Sequence, residues 1–531
     1  MTDSQKVPAA CDRTGDVHRE KTADGLKRTL TPRHLNMIAI GGCIGTGLFV
    51  ASGSTIAQSG PGGALLAFVV IGAMVFFLMT SLGELASCMP VTGSFSTYAA
   101  NYVDESFGFA LGWNYWYSWA VTIAVDLVAA QIIMAYWFPD VPGYIWSGIF
   151  LVIIAALNMA SVRMFGEAEY WFSLIKVITI LLFIAVGVLM LFGILSGAEN
   201  AGPRLWSIGD GPVVGGLGAL VGVAMVVGFS FQGTEFVGIA AGETRNPGKN
   251  VPRAVRQIFW RILLFYVLTI LIIGLLIPYN DPSLLQNGVS DIRVSPFTLI
   301  FERADLLGAA AVMNAVILTS VLSAGNSGMY ASSRMLYSLA LEGKAPAIFA
   351  RLSVSGTPRW ALLATATVAG LCFLTFIFSP GQIYNWLLNT SGMLGFIAWL
   401  GIAVSHYRFR RGYVLQGNDL GNLPYVSRFF PFGPIFAFVL CLCVTLGQNY
   451  GALLGDSIDW AGLTATYIGL ALFLAIWLAH KLISKSRFVR LDEMSFSMIR
   501  NKSECDPPLE AAPKADRDLQ GQMPNGYGAK R

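Results

Sequence analysis

The sequence predicts an all-α membrane protein with about twelve transmembrane helices. Of its 531 residues, 55% are hydrophobic and only 12% are charged, roughly half the charged share of a soluble domain. Apolar runs of about 20 residues, the length that crosses a ~30 Å hydrocarbon core as a helix, recur along the chain. One membrane-embedded unit is therefore expected, and not a series of soluble domains.

The predicted spans fall into two groups of six and are numbered helix 1 to helix 12. Their ranges are 37–57, 63–84, 108–138, 142–161, 168–195 and 216–241, then 258–278, 307–335, 360–379, 383–405, 430–452 and 461–484. These spans make residues 37–484 a single twelve-helix domain. Residues 1–36 and 485–531 are polar and are predicted to be largely disordered tails.

Basic residues cluster in one set of loops and acidic residues in the other. The basic loops carry Lys249, Arg253, Arg256, Lys344, Arg351, Arg359, Arg408, Arg410 and Arg411. The opposite loops carry Asp140, Asp210, Asp281, Asp291, Glu302, Asp456 and Asp459. The positive-inside rule places the basic loops, and with them both termini, in the cytoplasm.

Helices 1 and 6 contain glycines and polar residues at mid-membrane, where an uninterrupted transmembrane helix would carry Leu and Val. Helix 1 reads GGCIGTGLFVASG and helix 6 reads VGFSFQGTEFVG. They begin two successive sets of five helices that run in opposite directions, which is the pattern of an inverted repeat with discontinuous helices. A five-plus-five arrangement followed by two extra helices is therefore predicted.

Broken helices at the midplane offer free backbone groups to a zwitterion. N–H groups bind a carboxylate, and carbonyls bind an ammonium group. Gly45, Thr46 and Gly47 are the candidate carboxylate site, and carbonyls near Cys43, Phe229 and Gln232 are candidates for the ammonium. The alternative is that the glycines only let helices pack closely. The matched break in helix 6, with Glu235 just after its glycine, favours a binding site.

Ionisable residues inside a span cost ~2.5–3.5 kcal/mol each on insertion scales, and three of those in the predicted spans stand out. Glu235 adjoins the helix 6 break, so a functional role is favoured for it. Lys176 of helix 5 lies near the membrane midplane. A role as a proton carrier or a fixed internal cation is favoured for it, with a structural ion pair as the alternative. Asp126 on helix 3 is left open between function and structure. Glu243 lies near a helix end and could be solvated.

The run WNYWYSW on helix 3 places Tyr115 and Trp119 four residues apart, hence on one helical face. Aromatic core or interface packing is the simpler interpretation. The alternative is that this face walls a substrate cavity with Phe229 as a gate, since aromatic rings suit the stem and cationic head of a long basic side chain.

Several function classes find no support in the sequence. It contains no nucleophile elbow, P-loop or HExxH motif. The seven cysteines include no CxxC pair, and the four histidines are scattered, so neither a metal site nor a cofactor is predicted. The basic loops indicate topology and not nucleic-acid binding.

These motifs resemble those of the amino acid permeases of the amino acid–polyamine–organocation superfamily. The resemblance covers roughly residues 25–490 and rests on NMIAIGGCIGTGLFVASG, GEAEYWFSLIK, GFSFQGTE and SAGNSGMYASSRMLY. Longer stretches, FGFALGWNYWYSWAVTIAVDLVAAQ and LNTSGMLGFIAWLGIAVSHYRFRRGYVLQG, resemble the lysine-specific permeases of bacteria within that family. The second resemblance implies L-lysine as the substrate and the bacterial inner membrane as the location.

The resemblance also implies roles for individual residues. In proton-coupled relatives a helix 5 lysine takes the place of a bound sodium ion, and Lys176 occupies that position, with Ser323 and Asn326 as its helix 8 neighbours. Glu235 matches an acidic residue that acts in gating or proton linkage in relatives. Glu243 is a further candidate for proton coupling or gating. Cys43 departs from the small residue expected there, which leaves the backbone site intact.

The expected function is uptake of L-lysine with protons, in contact with the lipid bilayer. One alternative is a permease for another cationic or aromatic amino acid. Another is a transporter-like lysine sensor that acts on a membrane partner through periplasmic loops carrying Asp291, Asp456 and Asp459, although solvated loop charge is the commoner explanation.

Overall fold

The structure, a computed structural model, describes residue 37 and residues 44–160, 162–195, 197, 201–244, 246–285, 295–305, 308–448 and 460–499. Regular secondary structure in these ranges is helical. Ten of the described helices are long and apolar enough to cross a membrane. The predicted all-α membrane fold is confirmed.

The long helices follow the predicted order, with helix 3 the most buried and helix 12 the least. Their ranges are Ala51–Cys88, Glu105–Met134, Gly143–Ala160, Met164–Leu191, Gly216–Glu243, Pro247–Leu276, Ala309–Leu341, Arg359–Phe376, Pro380–Leu415 and Thr466–Ser484. A shorter apolar helix, Phe432–Gly447, corresponds to helix 11. Two further helices, Ser94–Tyr102 and Pro296–Arg303, connect spans and were not predicted.

The first long helix is divided at Gly60, where φ 74° and ψ 168° interrupt it. A positive φ favours glycine, and Pro61 follows, whose missing N–H suits the first turn of a new helix. The Pro212 carbonyl accepts a hydrogen bond from the Gly62 N–H at 2.9 Å. Gly60 thus separates the end of helix 1 from helix 2, and with helix 11 this brings the described membrane helices to twelve.

Helix 7 begins at Pro247, earlier than the predicted residue 258. Its first part, Pro247–Arg261, is amphipathic and lies at the end of the bundle that carries the basic loops. Its buried side chains include Val251, Val255 and Ile258, and its exposed ones include Lys249, Arg253 and Arg256. A search for apolar runs misses this part because its basic residues lower the mean hydropathy, although its apolar residues recur with a helical period. We call this end of the bundle the basic face and the other end the acidic face.

Near the basic face, Glu84 of helix 2 pairs with Arg410 of helix 10. The Arg410 Nε donates to Glu84 Oε1 at 2.7 Å, and a second guanidinium nitrogen donates to Oε2. The Ser427 N–H donates to the same carboxylate at 2.6 Å, and His406 Nε2 lies 3.3 Å from it. Glu84 and His406 are fully buried, so this cluster fixes helix 2 to helix 10.

We expect Arg410→Met to lower the free energy of unfolding by about 3–5 kcal/mol, because it leaves the buried Glu84 carboxylate without its bidentate partner. Thermal unfolding in detergent measures the effect, with Arg411→Met at the exposed neighbouring position as the matched control. Adding Glu84→Gln should recover part of the loss. An Arg410→Met protein as heat-stable as the parent would show that the pair adds nothing to stability.

The chain after helix 12 packs back onto the basic face. The Val489 N–H donates to the Val103 carbonyl at 2.9 Å. Asp104, before helix 3, accepts from Lys481 at 2.5 Å and from Ser486 at 2.6 Å. Burial raises the pKa of Asp104, but these hydrogen bonds outweigh it and hold that pKa below its usual range. The stability they add is therefore present at neutral pH and lost as the pH falls through the lowered value.

Candidate functional site

Helix 6 is interrupted in the middle. Its first part ends before Gln232, which has φ −60° and ψ 145°, Gly233 has φ 95°, and helical structure resumes at Phe236. The Gln232 side chain donates to the Gly392 carbonyl of helix 10 at 3.2 Å, and its N–H donates to the Phe229 carbonyl at 3.1 Å. One carbonyl predicted to bind an ammonium group thus already accepts a hydrogen bond within the turn.

Glu235 lies at this break and is 1% exposed. Its carboxylate accepts from the Gly233 N–H at 3.1 and 3.2 Å, from the Tyr115 hydroxyl at 3.1 Å and from the Trp399 indole N–H at 3.2 Å. These hydrogen-bond donors belong to helices 6, 3 and 10. Glu235 therefore joins the broken segment to two other helices.

Gly45 and Gly47 lie where helix 1 closely approaches its neighbours. Gly45 is non-helical, with ψ −141°, and a short helix, Thr46–Phe49, begins after it. A Cβ on Gly45 would lie 2.8 Å from the Cβ of Ala324, and one on Gly47 would lie 2.4 Å from the Cα of Ser230. Both glycines therefore allow close packing, the simpler alternative for them, and carboxylate binding by this segment stays a prediction.

The aromatic residues of helix 3 pack beside the helix 6 break. The ring centroids of Tyr115 and Trp119 are 6.2 Å apart, and those of Trp119 and Phe236 are 4.4 Å apart. Gly328 of helix 8 makes room for Trp119, since a Cβ there would lie 2.9 Å from its ring. Tyr115, Trp119 and Phe229 are at most 5% exposed. The rings form core around Glu235, and their role as a substrate wall stays a prediction.

Asp126 connects the helix 1 break to helices 5 and 10. Its Oδ1 accepts from the Thr46 hydroxyl at 2.9 Å, and it interacts electrostatically with Lys176 and Tyr384. Asp126 is 1% exposed and Lys176 is fully buried. Its second oxygen, Oδ2, has no hydrogen-bond partner among the described residues. A carboxylate and an ammonium group therefore lie together in the membrane interior, beside the segment predicted to bind substrate.

The two helix 8 residues predicted beside Lys176 contact other side chains. The Ser323 hydroxyl donates to Glu169 Oε1 on helix 5 at 2.8 Å. The Asn158 amide of helix 4 donates to Asn326 Oδ1 at 2.8 Å. Both pairs are buried. Ser323 thus holds a carboxylate that lies two helical turns before Lys176, on the same face of helix 5.

Glu243, at the basic-face end of helix 6, pairs with Arg334 of helix 8. The Arg334 Nε lies 3.1 Å from Glu243 Oε1, and both side chains are buried. The Arg334 guanidinium lies 4.0 Å from the centroid of the Tyr330 ring, which stacks on Phe165 of helix 5 at 4.2 Å. Glu243 is therefore not solvated, and it closes the bundle between helices 6 and 8.

A cavity of about 420 Å³ lies toward the acidic face, beside the outer parts of helices 1, 6 and 10. Polar side chains dominate its wall, which includes Ser54, Gln58, Tyr384, Asn385, Asn389, Gln448 and Thr466. The predicted substrate-binding residues that the structure describes are buried and do not line it. The breaks are thus occluded in this conformation, next to a cavity on one side.

Some predicted residues lie outside the described part of the chain. Cys43 is one of them, and so are the loop residues Asp291, Asp456 and Asp459. The proposals made for them stay predictions.

Sequence reasoning missed Glu169, Trp399 and Arg334, and it assigned no role to Asp126. Asp126 and Glu169 carried a usable signal, since each is an ionisable residue at membrane depth. Glu169 lies seven residues before Lys176, so helical periodicity places both on one face. Trp399 carried no such signal, because a tryptophan in an apolar helix predicts only packing.

The chain matches the amino acid permease family over residues 34–493. It is 70% identical to a lysine-specific permease of Escherichia coli over 89% of this chain and 97% of that protein. It is 51% identical to a lysine-specific permease of Lactococcus lactis, over 90% of this chain and 94% of the relative. It is also 49% identical to a histidine permease of the same species, over 89% of this chain and 98% of the relative.

The fold is also found in a solved structure. A manganese transporter of Eremococcus coleocola superposes with a TM-score of 0.54 at 17% identity, covering 87% of this chain and 99% of that one. At this identity the likeness concerns the fold alone. It confirms the predicted five-plus-five inverted repeat with discontinuous helices 1 and 6.

Proposed function

The chain belongs to the amino acid permease family, and we propose that it imports L-lysine together with protons across the bacterial cytoplasmic membrane by alternating access. It is a multi-pass transporter and not an enzyme, since its family and relatives are permeases. The two relatives named as lysine-specific permeases support lysine as the substrate.

The observation that carries this proposal is the buried Glu235 carboxylate at the helix 6 break. An isolated charge there would be costly, whereas a substrate ammonium group compensates it. Tyr115 and Trp119 lie beside it, and aromatic faces suit the methylene stem and cationic head of lysine. The irregular backbone at Gly45, Thr46 and Gly47 would bind the α-carboxylate.

The buried Lys176 supports coupling to protons. An ammonium group near Asp126, which contacts helix 1 through Thr46, would do the work of a bound cation, and it can gain or lose its proton when access changes. The predicted substrate-binding residues that the structure describes are buried and do not line the cavity toward the acidic face, so a closed layer of side chains separates them from it. This arrangement supports alternating access, in which that layer would open.

The basic face is proposed to be cytoplasmic, together with both termini. Lys249, Arg253, Arg256 and Arg411 are exposed there, and basic residues are retained on the cytoplasmic side during insertion. Lysine would then enter through the cavity on the acidic face.

We expect labelled lysine to accumulate in proteoliposomes under an inward proton gradient, with choline replacing sodium, because Lys176 supplies the charge that a sodium ion would supply. Accumulation should vanish when a protonophore collapses the gradient. A strict requirement for sodium would overturn proton coupling while leaving lysine transport in place.

A permease for another amino acid is the second candidate, favoured by the similarity to a histidine permease. Competition by each unlabelled amino acid in the same assay distinguishes the two. Histidine displacing labelled lysine more effectively than lysine itself would reassign the substrate. Binding without accumulation would instead indicate a sensor.

A further inference from the structure

Phenylalanine rings from helices 2, 7 and 11 form a continuous row on the outside of the bundle, near the basic face. The ring centroid of Phe76 on helix 2 lies 5.7 Å from that of Phe259 on helix 7 and 5.7 Å from that of Phe429 just before helix 11. The neighbouring Phe77 ring lies 5.4 Å from that of Phe432 on helix 11. We call these five residues the phenylalanine row. Its members on helix 7 and at helix 11 are 43–60% exposed.

Two exposed arginines lie at the basic-face end of this row. Arg256 precedes Phe259 by about one helical turn, and Arg428 is adjacent to Phe429 in sequence. Because both rings lie 5.7 Å from the Phe76 ring, they are no more than twice that distance apart. The two arginines are therefore attached to neighbouring rings, although 172 positions separate them in the chain.

The backbone segments that carry the arginines also meet at helix 2. A Cβ on Gly83 would lie 2.8 Å from the Val255 side chain and 3.5 Å from the Tyr425 ring. Val255 immediately precedes Arg256, and Tyr425 lies three residues before Arg428. The loop before helix 11 thus lies beside the first part of helix 7, with the end of helix 2 between them.

Within the part of the chain that the structure describes, neither arginine forms an ion pair or a side-chain hydrogen bond. Other basic side chains near this face are already paired. Arg410 binds Glu84, Lys481 binds Asp104, and Arg408 donates to two backbone carbonyls. The two arginines beside the phenylalanine row therefore present positive charge that the described residues do not compensate.

The order of charge and rings matches the depth of a membrane leaflet. Helix 7 runs inward from the basic face, so Arg256 is followed at greater depth by Phe259 and then by Leu263, which is 41% exposed. On helix 2, Phe76 lies eight residues before Glu84, ~12 Å deeper along the helix axis. Positive charge is thus at the membrane surface, and an exposed aromatic surface extends from it into the hydrocarbon.

We propose that Arg256 and Arg428 together bind the headgroup of an anionic phospholipid in the leaflet at the basic face, and that the phenylalanine row contacts its acyl chains. A guanidinium group binds a phosphate through paired N–H donors. A lipid with net negative charge compensates the arginines, whereas a zwitterionic lipid brings its own cation. The bound lipid would join helix 7 to the start of helix 11 across helix 2. This site is independent of the substrate and of proton coupling.

A second copy of the chain is a less suitable occupant of this surface. A two-fold interface uses the same patch on both copies. It would gather four arginines with no described acidic partner, and like charges brought together at an interface repel. Charge therefore favours the lipid.

Native mass spectrometry of the full chain in detergent tests the site, with phosphatidylglycerol and phosphatidylcholine of the same acyl chains as probes. We expect the parent protein to bind one phosphatidylglycerol more tightly than phosphatidylcholine. Arg256→Gln and Arg428→Gln should each weaken phosphatidylglycerol binding about fivefold and leave phosphatidylcholine binding unchanged. Both positions are exposed, so the fold should persist. Arg359→Gln, at an exposed arginine beside the exposed Trp360 of helix 9, is the matched control and should bind as the parent does.

Glycerol 3-phosphate separates a lipid site from a site for free phosphate. It carries a phosphate but no acyl chains, so it should not displace phosphatidylglycerol at equal concentration. Phe432→Ser, which keeps both arginines and changes a ring that is 60% exposed, should weaken binding of both phospholipids. Displacement by glycerol 3-phosphate, or full binding by Phe432→Ser, would contradict the acyl-chain part of the proposal.

Three other results would overturn the lipid site. Equal binding of the two phospholipids by the parent, or unchanged phosphatidylglycerol binding by both arginine variants, would show that the arginines select no headgroup. A loss in Arg359→Gln as large as in the other variants would indicate only general attraction to a basic surface. A protein dimer without bound lipid, which Phe432→Ser converts to monomer, would assign the surface to a second copy.

Discussion

Lys176→Met is expected to abolish lysine accumulation against a gradient. Methionine keeps the length and the apolar stem of the side chain but removes the ammonium group. The buried Asp126 carboxylate then loses its electrostatic partner. Because Asp126 also accepts from Thr46 at the helix 1 break, we expect lysine binding to weaken as well. The measurements are pH-gradient-driven accumulation by the purified variant and lysine binding by calorimetry.

Lys176→Arg separates two roles for the same residue. Arginine keeps the positive charge but is not deprotonated in proteins. If Lys176 passes a proton on, neither variant should accumulate lysine. If it is only a fixed cation, arginine should retain uptake where methionine does not. Lys249→Met, at an exposed lysine of helix 7, is the matched control. Full accumulation by Lys176→Met would exclude this residue from the mechanism.

Glu235→Gln is the second change for which we expect a large effect, a loss of lysine affinity of about tenfold or more, since ~1.4 kcal/mol corresponds to tenfold. The carboxylate accepts hydrogen bonds from the Gly233 N–H, the Tyr115 hydroxyl and the Trp399 indole N–H. A glutamine amide removes the charge that would face the substrate ammonium. It also turns an N–H₂ group toward existing donors, which leaves donors without acceptors.

Tyr115→Phe and Trp399→Phe are informative companions. Each removes one hydrogen-bond donor and keeps the Glu235 charge, so lysine affinity should fall less than in Glu235→Gln. Equal losses in all three variants would instead mean that Glu235 acts mainly by holding helices 3, 6 and 10 together. Normal lysine uptake by Glu235→Gln across the physiological pH range would contradict a role in transport.

The helix 6 break could be predicted from the sequence. A glycine and a carboxylate in mid-membrane are unfavourable in a smooth helix, so FQGTEF predicts an interruption, and the structure places one at Gln232 and Gly233. The same reasoning placed Glu235 beside it. The interruption is local in origin, because it depends on backbone conformation and on residues adjacent in sequence.

Helix 7 and the chain after helix 12 were harder to predict. Pro247–Arg261 is helical because a narrow apolar stripe packs on helix 2, although its exposed face is basic. Val489 and Ser486 are held by hydrogen bonds to Val103 and Asp104. A polar composition predicted a largely disordered tail, and composition does not reveal which loop lies opposite.

The sequence alone determined the membrane class, the spans, the sidedness of charge and the positions of the breaks, because each follows from the thickness of the hydrocarbon core and the cost of polar groups within it. The partners of the buried charges were decided only by tertiary structure. Thr46 meets Asp126 across 80 positions, Trp399 meets Glu235 across 164, and Ser323 meets Glu169 across 154. Every buried ionisable group requires a partner, but which helix faces supply it depends on how twelve helices pack, and that is not encoded in any short stretch of chain.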